Sequence, residues 1–308
     1  MKTRKKFKWA LVLSGGGARG LAHIGIIEAL EKLSVPEPDM VIGCSMGAVV
    51  GGLYASGMTT AQIREFLGES FDITQYMSGN SLLAAITPIN KVIQLGRGMR
   101  NLFSADGLDS GEGMNKLFLD LTNSIEFGNT RIPFYCNATD LCTGKEVVLT
   151  KGPIANAMRA SASYPGVFSP FEYDSMLLAD GYMSHNTPVW IAREYGIQNV
   201  LAVYLDQFGR IETSVLKTAF DVLSRAFDCA VYTKPVRKQD IPTTHILADN
   251  DRSSFDFEKP HQQINFGYES AMQQRYIIDD FFTKGFRGIL NRRRLAGYEQ
   301  KGAYNERP

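Results

Sequence analysis

Trp9-Ala10-Leu11-Val12-Leu13-Ser14 runs straight into Gly15-Gly16-Gly17-Ala18-Arg19-Gly20, and Met40-Val41-Ile42-Gly43 runs into Cys44-Ser45-Met46-Gly47. Both stretches share one plan. A short apolar run, long enough for a buried strand, meets glycines and then a helical pattern. The first helix is expected over 21–33, ended by Val35-Pro36-Glu37-Pro38, because proline cannot continue a helix. The second is expected over 48–56, where Gly51-Gly52 permits close packing. Strand, helix, strand, helix opens a parallel α/β sheet. Strands are expected further on at 133–139, 146–149, 175–178 and 200–205, and helices at 156–161 and 186–195.

Gly43-Cys44-Ser45-Met46-Gly47 is a G-x-S-x-G turn with a strand before it and a helix after it. Such a turn exposes a serine hydroxyl at a helix N-terminus, and Gly43 and Gly47 remove side chains that would clash there. Ser45 is therefore the candidate nucleophile. Gly15, Gly17 and Gly20 also fit a dinucleotide fingerprint, G-x-G-x-x-G. That reading needs an acidic residue at the carboxyl end of the second strand to hold the ribose. Asp39 lies at the start of that strand, and its end holds the serine turn. In a parallel sheet adjacent strands end at one edge, so the glycine loop lies beside Ser45. Its N–H groups make a candidate oxyanion hole. Arg19 is read first as holding that loop, with a substrate phosphate as the other reading.

The base is less obvious. His245 or His261 follows Ser45 in the order of an α/β hydrolase, but such enzymes place several strands before the nucleophile, and only two precede Ser45. Nothing near His23 or His185 marks either as an oriented base. Three motifs in order decide the matter: Gly15 to Gly20, Gly43 to Gly47, and Asp180-Gly181-Tyr182. Together they resemble the bacterial patatin-like phospholipases, whose pattern is G-G-G-x-R/K-G, G-x-S-x-G and D-G-G/A. Ala138-Thr139-Asp140-Leu141, the run from Ala160 to Pro165, Asn186 with Pro188, and Ser254-Phe255-Asp256-Phe257 also resemble the family. The likeness covers residues 8 to 280. It implies a three-layer α/β/α fold with a central, mostly parallel sheet. It also implies a Ser-Asp dyad: Ser45 as nucleophile and Asp180 as base, with Gly15, Gly16, Gly17 and Arg19 shaping the oxyanion site and Gly20 and Gly181 supporting the motifs. Tyr182 departs from the family pattern, which has a small residue there. Asp140 is the competing acid and is read as a structural acceptor.

The implied activity is hydrolysis of lipid acyl esters, of the phospholipase A or lysophospholipase type, with no metal and no cofactor. A small-ester or thioester hydrolase with the same dyad and a silent lipid-binding module are the alternatives. One acyl-hydrolase domain is expected over 8–283, with apolar, proline-broken 70–105 as a candidate cap or lid, followed by a basic tail at 284–308.

Composition is that of a globular protein, 44% apolar and 21% charged, and the net charge of +1 argues for no nucleic-acid partner. The distribution is uneven. Residues 1–8 carry +5 and residues 284–308 another +5, so 9–283 sum to −9. Basic ends on an acidic body fit either solvated tails or peripheral contact with an anionic membrane. The four cysteines have no framework spacing and are expected reduced. With no apolar run of signal-peptide or membrane-span length, a cytoplasmic protein is expected.

Overall fold

The computed structural model describes residues 7–70 and 109–305. Most of the expected cap at 70–105 lies outside them. In chain order the elements are β1 (Trp9–Leu13), α1 (Ala22–Lys32), β2 (Met40–Gly43), α2 (Met46–Ser56), α3 (Thr60–Glu65) and α4 (Glu112–Leu121). Then come β3 (Phe134–Asp140), β4 (Glu146–Leu149), α5 (Ile154–Ser161), β5 (Phe171–Tyr173), β6 (Met176–Asp180) and α6 (Val189–Glu194). The rest are β7 (Asn199–Tyr204), α7 (Ala219–Tyr232), β8 (Thr244–Leu247), α8 (Pro260–Gln273), α9 (Arg275–Phe282) and α10 (Gly285–Asn305).

The strands form one sheet in the order β5-β6-β3-β2-β1-β7-β8, with β4 also on β3. β3, β2, β1, β7 and β8 run parallel. β4 and β6 run antiparallel to β3, and β5 antiparallel to β6. β1 is buried along its whole length, as a central strand covered on both faces must be. Its alternate side chains divide the core. Trp9, Leu11 and Leu13 pack with α1 and α2 on one face, while Ala10 and Val12 join Val189, Ile191 and Ala192 of α6 on the other. This is the expected three-layer arrangement.

Several boundaries differ from expectation for local reasons. A 3-10 turn over Gly17–Leu21 precedes α1. The helix expected from 186 starts only at Val189, because Pro188 stands at its N-cap. The strand expected over 175–178 runs on to Asp180, where pairing with β3 continues it. Of the basic stretch from 284, Gly285–Asn305 is helix α10 rather than a loose tail. Leu295 is buried, Glu299 meets His245 at 2.7 Å, and the Arg292 guanidinium lies over the Phe7 ring at 4.5 Å. Among the described residues no helix is long and apolar enough to cross a membrane.

One feature of the register positions the site. β4 occupies one edge of β3 from Cys136 to Thr139. The other edge is shared end to end. β2 pairs there up to Gly43 opposite Cys136, and β6 takes over with Asp180 opposite Ala138. The end of β2 and the end of β6 therefore approach each other from opposite directions, two β3 residues apart, or about 7 Å.

Candidate active site

Ser45 follows β2 and N-caps α2 with φ 51° and ψ −123°, a backbone conformation that a non-glycine residue seldom adopts. The turn survives because its neighbours leave no alternative space. A Cβ on Gly43 would lie 2.3 Å from the Gly47 carbonyl oxygen, and one on Gly47 2.4 Å from that of Leu13. The Ser161 hydroxyl, at the end of α5, accepts the Ser45 N–H at 2.9 Å. The Ser45 amide is thus spoken for.

Ser45 Oγ donates to Asp180 Oδ2 at 2.6 Å, across 135 residues of sequence. Asp180 is fully buried. Its Oδ1 accepts the Tyr182 N–H at 2.8 Å, and its carbonyl accepts the Thr139 hydroxyl at 3.0 Å. Among the described residues no Lys, Arg or His pairs with it. Burial without a counter-cation disfavours the charged form and pushes the carboxyl up to about 7; the Ser45 and Tyr182 hydrogen bonds pull it down and only partly compensate. A carboxylate tuned to that range is matched to proton transfer near neutral pH.

Oxyanion donors must be N–H groups with no other acceptor. Of the expected set, the Gly15 amide is already engaged. It donates to the side-chain oxygen of Asn186 at 2.8 Å and to the Asn186 carbonyl at 3.2 Å. Gly16 and Gly17 donate to no group among the described residues. Neither does Met46, whose amide opens α2 and so has no intrahelical partner. Gly17 holds φ 56°, and a Cβ there would sit 2.1 Å from the Ser254 carbonyl oxygen, so the loop needs glycine at this point. The Arg19 guanidinium donates to Asp206 at 2.7 Å, and the Ser254 carbonyl accepts the Ala18 N–H at 2.7 Å. Arg19 therefore ties the loop to the end of β7. Asn186, Ser161 and Met46 were missed as site residues. Asn186 and Ser161 fall within stretches that carried the resemblance, and the residue after a G-x-S-x-G serine is a general oxyanion donor.

Other candidates go elsewhere. The Asp140 side chain accepts the Cys142 N–H at 3.1 Å and the Thr143 hydroxyl at 2.6 Å, closing the turn between β3 and β4. The Thr143 bond chiefly holds that carboxyl below its usual range. His23 bonds the Ser14 carbonyl at 2.8 Å, and burial lowers its imidazole to about 4. His185 meets Glu146 at 2.6 Å, and His261 is exposed. None of the four histidines lines the Ser45 cavity. Tyr182 sends its side chain past the dyad, and its hydroxyl donates to Asp228 on α7.

The cavity in front of Ser45 has a volume of about 160 Å³ and is mostly apolar, with Val49, Leu67, Met114, Phe118, Val167 and Phe168 among its walls. The buried Arg159 holds this wall together. Its guanidinium donates to the carbonyls of Ser110 at 2.8 Å and Ser169 at 3.0 Å, bonds the Ser163 hydroxyl at 2.5 Å, and lies over the Phe168 ring at 4.9 Å. The Ser163 carbonyl in turn accepts the Asp180 N–H at 3.0 Å.

A mostly parallel sheet with a strained serine elbow, a glycine loop and an aspartate within hydrogen-bond reach has the features expected of a patatin-like protein. The patatin-like phospholipase profile matches residues 11–193, and the chain belongs to that family. An uncharacterized NTE family protein of Mycobacterium tuberculosis is 37% identical over 174 residues, 56% of this chain and 42% of the relative. A lysophospholipase NTE1 of Saccharomyces cerevisiae is 30% identical over 202 residues, 63% of this chain and 10% of the relative. The chain thus matches less than half the length of these relatives. Among solved structures, VipD from Legionella pneumophila superposes with a TM-score of 0.51 at 16% identity, over 88% of this chain and 67% of that one, a likeness of fold.

Proposed function

We propose that this protein hydrolyses carboxylic esters of lipids, as a phospholipase A or lysophospholipase, with Ser45 and Asp180 as a catalytic dyad. The observation that carries the reading is the 2.6 Å bond from the Ser45 hydroxyl to a buried carboxylate at the head of an apolar cavity. Ser45 Oγ attacks the ester carbonyl carbon and its proton passes to Asp180. The oxyanion formed faces the N–H groups of Gly16, Gly17 and Met46. Collapse breaks the bond to the alcohol, which leaves with the proton from Asp180. Water then attacks the acyl-enzyme, gives a proton to Asp180, and the fatty acid departs as Ser45 recovers its proton. Each such oxyanion donor contributes about 3 to 4 kcal/mol to transition-state stabilisation.

The apolar walls favour an acyl chain over a small ester or thioester, and the lysophospholipase NTE1 of Saccharomyces cerevisiae agrees in class. A fluorophosphonate probe should label Ser45 and fail on Ser45→Ala. Product analysis on mixed phospholipids and lysophospholipids should release fatty acid in the unaltered protein and none in Ser45→Ala or Asp180→Asn. Full hydrolysis by Asp180→Asn would remove Asp180 as the base. Hydrolysis of short soluble esters with none of lipid would favour the small-ester reading.

A further inference from the structure

The two faces of α7 serve different surroundings. On the inner face Phe220 packs edge-on against Phe255 at 4.8 Å and Tyr164 at 6.4 Å, and Ser224 and Asp228 line the Ser45 cavity. On the outer face Val222, Leu223, Ala226, Cys229 and Ala230 are all exposed and all uncharged. Their spacing places them on one stripe of the helix. Val222 and Leu223 are 51% and 56% exposed, and Val215 on the approach to the helix is 54% exposed. Cover for a cavity requires only the inner face to be apolar. A contiguous apolar stripe facing water marks an interaction surface, whereas scattered exposed apolar residues do not.

Charge identifies the occupant. Residues 207–240 contain six basic and four acidic side chains, for +2, inside a body that sums to −9. Three of those acids are engaged. Asp221 caps its own helix, Asp228 accepts from Tyr182, and Asp240 pairs with Arg237. Arg210, next to the Gly209 carbonyl that accepts from Arg225 of α7, and Lys217, two residues before the helix, are exposed. An apolar stripe with a basic surround, on the element that walls the cavity, fits an anionic lipid surface. Among the described residues the rival apolar cluster is the exposed Phe286, Ile289 and Leu290 beside Arg287 and Arg293 on α10. That end of α10 follows Phe282, whose ring packs edge-on against Trp9 at 4.9 Å. Trp9 begins β1, so the rival patch lies at the sheet edge opposite Ser45.

We propose that the outer face of α7 is the surface by which this protein docks on an anionic bilayer, with Val222 and Leu223 entering the interface and the Ser45 cavity behind them. The proposal deepens the lipid-hydrolase reading and rests on it for its purpose, but docking is measured without turnover. In flotation with phosphatidylcholine vesicles containing phosphatidylglycerol, on the full chain with Ser45→Ala, adding Val222→Glu and Leu223→Glu should lower partitioning about tenfold or more. Phe286→Glu with Leu290→Glu should leave it within about twofold, as expected of surface changes away from the interface. With Cys142→Ser, an environment-sensitive dye on Cys229 should shift to the blue when vesicles are added. Hydrolysis of a soluble short-chain ester, with Ser45 present, checks that the Val222/Leu223 variant is folded. Unchanged partitioning of a folded variant, loss that follows only the Phe286/Leu290 changes, no flotation of the Ser45→Ala protein, or no dye shift would each overturn the proposal. Flotation without ester hydrolysis by the unaltered protein would strike the hydrolase reading and leave docking in place.

Discussion

As the proposed base, Asp180 makes the sharpest demand on the mechanism, because only its ionised form could take the Ser45 proton. With the carboxyl at about 7, some 1% of the protein is in the active form at pH 5 and about half at pH 7. An aspartate at its ordinary value of about 3.9 would be more than 90% ionised at pH 5. The two cases differ by nearly a hundredfold in kcat/KM. The cause is visible in the contacts. The carboxylate has no exposure and, among the described residues, no cation; the Ser45 hydroxyl and the Tyr182 amide are the hydrogen bonds that favour its charge, with the Cys44 thiol a distant third donor at 4.0 Å. The assay is kcat/KM for a soluble short-chain ester between pH 4.5 and 9, with near-ultraviolet circular dichroism at each pH to confirm folding. The rate should fall as pH drops, tenfold per unit below pH 6.5, with an apparent midpoint near 7. A profile flat down to pH 5 in folded protein would refute the argument, since the base would then be ionised where burial says it is not.

The same shift has a stability consequence of known sign. A carboxyl raised from about 3.9 unfolded to about 7 folded stabilises the protein below pH 4, and that stability is lost as pH rises through 7; the loss is on the order of 4 kcal/mol. Asp180→Asn, which keeps the shape without the charge, should therefore melt higher than the unaltered protein at pH 8, with the gap closing towards pH 4. Arg159→Met removes a buried cation whose four partners then lose their donor, and chemical denaturation should show a loss of about 3 to 5 kcal/mol. Asn186→Ala removes the side-chain acceptor of the Gly15 amide, leaves only the longer bond to the residue-186 carbonyl, and loosens the proposed oxyanion loop; kcat should fall about tenfold or more with KM little changed, as for an interaction made only in the transition state. Gly47→Ala drives a Cβ against the Leu13 and Ser14 carbonyls and should leave no measurable hydrolysis in whatever protein folds.

The parts of this molecule that were legible in sequence are those whose cause is local. β1 and β2 read clearly because each is an apolar run cut off by glycine, and the elbow because its residues follow one another. What was missed is long-range. β8 is a short strand with alternating burial whose neighbour β7 lies forty residues earlier. α7 carries no buried residue, so its helical pattern is set by a cavity on one side and solvent on the other. The engagement of Gly15 depends on Asn186, 171 residues away, and no local pattern distinguishes that amide from those of Gly16 and Gly17. Asp180 itself was placed by resemblance rather than by any spacing, because its meeting with Ser45 depends on how β6 pairs with β3.

That pairing also bears on how the proposed dyad would work without histidine. A histidine triad uses a third residue to hold the imidazole in position. Here the backbone does that work. β2 and β6 share one edge of β3 head to head, so the residues that end them are brought together by main-chain hydrogen bonds on the same strand. Asp180 is then fixed from three sides: its N–H by Ser163, its carbonyl by Thr139, and its carboxylate by the Tyr182 amide. The Tyr182 contact uses the backbone, which any residue supplies. The tyrosine side chain is free to turn away and bond Asp228 on α7. The departure from a small residue at this position therefore leaves the dyad's geometry intact and adds a tie between the base's own turn and the helix that walls the cavity. Tyr182→Phe breaks only that tie. It should leave hydrolysis of a short ester nearly unchanged, while Tyr182→Pro, which removes the amide donor, should raise the apparent midpoint of the pH profile. Equal effects from the two would mean that the side chain, not the amide, positions Asp180.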